Sequence, residues 1–194
     1  TAPDGQRHVL DFAAFRGPNL EADLRGRDFT LNAIALDLGD QSIHDPLGGV
    51  PDLREKCLRQ CSPATFSDDP LRILRGLRLA AAFDFHIQPE TRLAMKQAAG
   101  LLGQVSAERQ RDELFRILEG PKPAACLRAL DLLGALGTLF PELGGLKNLA
   151  QPAPHVHDGW THTLSVLNHL EAILAALSPQ YDQEAASDLL MGML

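Results

Sequence analysis

The spacing of apolar and polar positions divides this chain into parts of different character. Residues 8–15, HVLDFAAF, alternate weakly and predict a strand with Asp11 inside it. A carboxylate in an otherwise apolar strand is costly unless it is solvated, paired or bound to a cation. Gly17 and Pro18 end that segment, and Asn19 suits the N-cap of a short helix through Leu24. Residues 25–38, RGRDFTLNAIALDL, join dense polar groups to an apolar run. Residues 43–53, IHDPLGGVPDL, place Asp-Pro, Gly-Gly and Val-Pro steps close together and read as a turn-rich connector. Residues 57–61 read as another short strand. After Pro63 the period becomes helical. Helices are expected over 68–83, 89–102, 106–118 (with Ser106 as a cap), 123–136 and 159–177, and a further one starts at 184. The loop-rich passage 141–154 marks a boundary. The fold class is α+β, mostly helical, with segments 1–62, 63–147 and 148–194.

Composition narrows the class. The 194 residues are 45% hydrophobic and 22% charged, ordinary for a globular protein. No apolar run reaches the roughly 20 residues of a membrane span, so no membrane is expected. The chain begins at Thr1, which suggests a fragment or a processed chain. Three cysteines, Cys57, Cys61 and Cys126, favour a reducing, cytoplasmic setting over a disulfide framework. The formal charge of −7 argues against a general nucleic-acid binder. Its distribution changes that picture. All 18 Lys and Arg lie between Arg7 and Lys147, whereas the last 47 residues carry none and hold five acids. Between Arg54 and Arg78 six bases face three acids, so a modest basic zone surrounds the first long helix.

That helix carries the most suggestive chemistry. The run DDPLRILRGLR opens with Asp68 and Asp69, continues through Pro70, and repeats arginine at Arg72, Arg75 and Arg78. Asp68 suits the N-cap, and proline is tolerated in the first turn. Asp69 and Arg72, three apart, would share a helical face. They can pair with each other, or an acceptor and a guanidinium fork can read the edge of a nucleobase. Arg27, Asp28, Thr30 and Asn32 form a second polar set, suited either to a capped turn or to a ribose and phosphates. Asp45 to Gly49 is read as architectural. Glu108, Arg109 and Glu113 open a helix, as a brace or as substrate contacts. His155, His157, Asp158 and His162 lack the partners of a closed metal shell, as do Cys57 and Cys61. There is no phosphate loop of the Gly-x-x-x-x-Gly-Lys type.

Taken in order, these motifs resemble the class II tRNA nucleotidyltransferase and bacterial poly(A) polymerase family. RDFTLNAIALD looks like its second motif, IHDPLGGVPDL its third, DDPLRILRGLRLAAAFDF its fourth and ERQRDE its fifth. The resemblance implies the C-terminal part of a nucleotidyltransferase head over 1–62, a helical neck over 63–147 and the start of an HD-like helical domain over 148–194. It implies that Asp69 and Arg72 pair with the incoming base, and that Arg27 and Asp28 hold sugar and phosphate, with Arg75 beside them. Asn32, Glu108 and Arg109 would be supporting residues. Asp11 maps near an additional head carboxylate. HVHDGWTHTLSVL resembles the start of an HD-type domain, with His162 as its first metal ligand.

Two departures stand out. Gly26-Arg27-Asp28 has one arginine fewer than the family's usual Arg-Arg-Asp, and Asp68-Asp69 stands for Glu-Asp. The family's first motif, whose Asp-x-Asp pair binds two Mg2+ ions, has no counterpart here. The expectation is therefore part of a template-independent enzyme that adds CMP and AMP to tRNA 3′ ends, or A residues to another RNA. It would use ATP and CTP, and the fragment alone would be inactive. The rivals are a non-catalytic nucleotide- or RNA-binding module and a fragment of an HD-type phosphohydrolase.

Overall fold

The computed structural model describes residues 11–152 and 156–177. Its elements in chain order are α1 (Leu20–Arg25), β1 (Ala35–Leu36), β2 (Ile43–His44), α2 (Gly49–Arg54), β3 (Cys57–Leu58), α3 (Thr65–Asp68), α4 (Arg72–Phe83), β4 (His86–Ile87), α5 (Pro89–Ala98), α6 (Ala107–Leu118), α7 (Pro123–Leu132), α8 (Leu136–Leu139) and α9 (Gly159–Leu177). β1 and β2 pair antiparallel, and β3 and β4 pair parallel. The α+β, mostly helical class follows.

The amphipathic periods form helices close to where they were expected. Asn19 caps α1 by accepting from the Ala22 N–H at 2.9 Å. α5 starts at Pro89, and its expected last turn is a 3₁₀ segment, Ala99–Gln104. The helix expected over 123–136 is divided. α7 stops at Leu132, Gly134 takes a left-handed φ of 78°, and α8 follows. Ser106 precedes α6 without a side-chain capping bond. The helix expected from 184 lies outside the described residues.

Two expectations need correction. Residues 11–15 are not a strand: they are exposed, with Phe12 93% accessible, and no described segment pairs with them. Without a ladder partner, weak alternation does not hold a strand together. Residues 8–10 lie outside the described part. The first long helix does not begin at residue 68. Asp68 closes α3, and Asp69 is extended at φ −148° and ψ 98°. Asp69 precedes Pro70, whose ring disfavours the helical region for the residue before it. Asp69, not Asp68, satisfies the start of α4. Its carboxylate accepts from the Leu71 N–H at 3.2 Å, and its carbonyl from the Arg72 N–H at 3.1 Å.

One continuous apolar core runs from Phe29 and Leu58 through Phe66, Ile73, Leu74 and Met95 to Trp160 and Leu164. Two glycines make close approaches possible. A Cβ on Gly76 of α4 would lie 2.5 Å from the Met95 methyl and 2.7 Å from the Phe29 ring. A Cβ on Gly49 would lie 2.1 Å from the Thr30 carbonyl oxygen. Asp45 caps α2, accepting from the Gly49 and Val50 N–H groups at 2.6 and 2.9 Å. The turn-rich connector is thus architectural, and it presses against the polar RDFT segment.

Candidate nucleotide-binding site

The RDFT segment is fixed from both sides. The Thr30 N–H donates to the Arg59 carbonyl at 2.9 Å, and the Thr30 hydroxyl to the Asp52 carboxylate at 2.7 Å. Arg59 in turn forks onto Asp52. The Phe29 ring is fully buried under α4. This anchoring leaves Asp28 at the floor of a cavity of about 490 Å3, lined by Arg16, Arg27, Asp28, Asn32, Asp69, Leu71, Arg72, Arg75 and Arg109.

Asp28 is buried and well satisfied. One oxygen accepts from the Asn32 amide at 3.0 Å and the Phe29 N–H at 2.9 Å; the other receives the Arg75 guanidinium at 2.9 and 3.0 Å. Burial alone raises its pKa, but the Asn32 amide, the Arg75 charge and the Phe29 N–H outweigh it and hold the carboxyl below the ordinary range. Cys61 lies next to this set, donating its backbone N–H to the Asp28 carbonyl; burial pushes its thiol up to about 12, so it stays protonated.

Asp69 and Arg72 do not pair with each other. The Asp69 carboxylate receives Arg109 from α6 at 2.8 Å. Arg72 reaches back to the polar segment, donating to the carbonyls of Gly26 (2.9 Å) and Arg27 (3.4 Å), and also to the Thr65 carbonyl of α3 (3.3 Å). The shared helical face read from their spacing fails because Asp69 stands outside the helix. The structure still brings both to one cavity. Arg27 forks onto Asp23 at 2.9 and 3.2 Å, with its guanidinium half exposed.

Arg27, Asp28, Asp69, Arg72 and Arg75 therefore converge, together with Asn32 and Arg109. Glu108 stands exposed on α6, outside the lining. Asp11 is exposed and likewise outside it. His162 lies on α9, where its N–H donates to the Asp158 carbonyl, while Asp158 caps that helix through Thr161 at 2.7 Å. Among the described residues, no group of three or more His, Cys, Asp or Glu is placed to hold a metal ion. His155 lies outside the described residues. Arg16 is the lining residue that sequence reasoning missed: it lies in an irregular segment with no periodic signal.

Five guanidinium groups against two carboxylates give the cavity the charge that a polyphosphate requires. The carboxylates do not suit Mg2+, because arginine and N–H donors already occupy both.

Comparison with known proteins accords with this arrangement. The model of the poly A polymerase head domain matches residues 3–59, and that of the "probable RNA and SrmB-binding site of polymerase A" matches residues 84–146. A CC-adding tRNA nucleotidyltransferase of Geobacter sulfurreducens is 42% identical over 136 residues, 70% of this chain and 32% of that protein. An A-adding tRNA nucleotidyltransferase of Deinococcus radiodurans is 40% identical, over 79% of this chain and 36% of that protein. A CCA-adding enzyme solved with CTP superposes with a TM-score of 0.61 at 38% identity, over 63% of this chain and 31% of that one. A tRNA-processing enzyme without ligand superposes at 0.68 and 27% identity, over 86% of this chain and 45% of that one. The chain thus spans about a third of the length of these curated relatives. The two family models matched in order, the relatives at about 40% identity, and the second, fourth and fifth motifs gathered at one cavity place this chain in the class II tRNA nucleotidyltransferase and bacterial poly(A) polymerase family.

Proposed function

We propose that this chain is the nucleotide-selecting part of an enzyme that adds CMP or AMP to the 3′ end of tRNA without a nucleic-acid template. The observation that carries this reading is the convergence of Arg27, Asp28, Asp69, Arg72, Arg75 and Arg109 on one arginine-rich cavity. ATP and CTP are the ligands, as in solved family members bound to each of them. Asp69 offers acceptors to a base edge. Arg72 commits three guanidinium N–H groups to backbone carbonyls and keeps the remaining two for the base. Arg27, held by Asp23, and Arg75, held by Asp28, face the sugar and phosphates. The boundaries near 62 and 147 separate head, neck and the start of an HD-like helical segment. The site works in a reducing, cytoplasmic setting.

Mg2+ would activate the 3′-hydroxyl and stabilise the leaving pyrophosphate, but no carboxylate of this cavity is available to it, and no step is derived through it. The 194-residue chain is therefore expected to bind nucleotides without transferring them to tRNA. Calorimetric titration of ATP and CTP into the chain and into its Asp69→Ala and Arg72→Ala variants tests the reading. The variants are expected to lose base preference. The same preference in all three proteins rules out selection by Asp69 and Arg72.

A further inference from the structure

The cavity holds one arginine from outside the four motifs. Arg16 comes from the irregular segment before α1 and lines the same wall as Arg27. One buried side chain organises both. Asp23, 5% exposed, accepts the Arg16 backbone N–H on Oδ1 at 3.0 Å and the Arg27 guanidinium on Oδ2 at 2.9 and 3.2 Å. These two bonds, the Arg16 N–H first, hold the Asp23 carboxyl below the usual range. Gly17 lets the segment come this close: a Cβ there would lie 2.8 Å from the Ala22 Cβ. A bulkier residue at 17 would push Arg16 away from α1. At position 26 the backbone is already engaged. The Gly26 N–H caps α1, and its carbonyl receives Arg72 at 2.9 Å.

We infer that Arg16 is a triphosphate-binding residue of the nucleotide site, and that Asp23 is the positioning residue that sets Arg16 and Arg27 side by side. The inference rests on the function proposed above and deepens it. A guanidinium facing the phosphates distinguishes ligands by phosphate count rather than by base, because its charge-assisted bonds go to phosphate oxygens. Arg16 has an exposed side chain, so its replacement leaves the core intact.

The test is calorimetric titration of the full chain and its Arg16→Ala, Arg16→Lys and Asp23→Asn variants with ATP, CTP, ADP, AMP and adenosine. Arg16→Ala is expected to weaken ATP and CTP equally, by about tenfold, the worth of one charge-assisted contact. The loss should shrink from ATP to AMP and vanish for adenosine. Arg16→Lys should recover part of it. Asp23→Asn should weaken ATP at least as much as Arg16→Ala does, and Arg16→Ala should add little on top of it. Wild-type affinity for ATP in Arg16→Ala overturns the inference, as does an equal loss for ATP and adenosine. Either result leaves base selection by Asp69 and Arg72 standing if those variants still change the ATP-to-CTP ratio. If the unaltered chain binds none of these nucleotides, the proposed function and this inference both fall.

Discussion

The cavity has two walls that present the same chemistry in different states. On the head side, Asp28 is 8% exposed at its side chain and its oxygens are held by Arg75, Asn32 and a backbone N–H. On the neck side, Asp69 is 28% exposed and receives one arginine, Arg109, whose own side chain is 53% exposed. Identical carboxylates thus serve different ends. A saturated, buried carboxylate fixes geometry. A more exposed one, held by the Leu71 N–H and a half-exposed arginine, can exchange that arginine for a ligand at small cost. On the proposed function, the difference separates the frame of the site from the face expected to read the base, although both come from short polar motifs.

Replacement of Asp28 is the most direct way to break this comparison. Asp28→Ala strands Arg75 and the Asn32 amide and is expected to cost about 3 kcal/mol, a little relieved because Arg75 reaches water. Chemical denaturation measures it, and nucleotide binding should fall for every base alike. Gly76→Ala comes next. The added methyl meets Met95 and Phe29 at distances no packed core accepts, and the expected loss is about 2 kcal/mol. A fall in melting temperature checks it; an unchanged melt would show that the ring and α4 are not in fixed contact. A third test uses pH. The folded-state pKa of Asp28 is depressed. Its contribution is therefore present above the unfolded value of about 3.9 and is lost as pH falls through the lower folded value. The gap in melting temperature between the wild type and Asp28→Asn should stay constant from neutral pH to about 5 and narrow below about 4. The smallest effect on stability belongs to Asp69→Ala, under about 1 kcal/mol for a partly exposed pair. It should nevertheless change the ATP-to-CTP affinity ratio more than any head-side variant. If Asp69→Ala destabilises the fold as much as Asp28→Ala does, the division between frame and reading face is wrong.

Much of the scaffold was legible because helices announce themselves locally. The apolar stripe of α4, Ile73, Leu74 and Leu77, and that of α6, Leu114 and Ile117, lie in the core where their spacing puts them. The order of the motifs also points to Arg27, Asp28, Asn32, Asp69, Arg72, Arg75 and Arg109, which line one cavity, whereas Asp11, Glu108 and His162 lie outside it. The pairings within the site were not legible. Arg75 reaches Asp28 across 47 residues and Arg109 reaches Asp69 across 40, and no local period encodes such distances. Pro70 carries a readable signal in its effect on the preceding residue, and it overrides the helical spacing of Asp69 and Arg72. Arg16 shows the other limit. It belongs to a segment without periodicity, and only the fold of Asp23 beneath it reveals what it faces.

The contact between the Phe29 ring and Gly76 has a mechanical consequence. The residue after Asp28 is seated on the helix that carries Arg72 and Arg75, with no side chain between ring and backbone. Arg72 adds two bonds across the same seam, to the Gly26 and Arg27 carbonyls. The RDFT segment and the helix that carries Arg72 and Arg75 are therefore tied together by packing as well as by hydrogen bonds. On the function proposed above, a change of preferred nucleotide is expected at Asp69 and Arg109, whose side chains form the more exposed ion pair of the cavity.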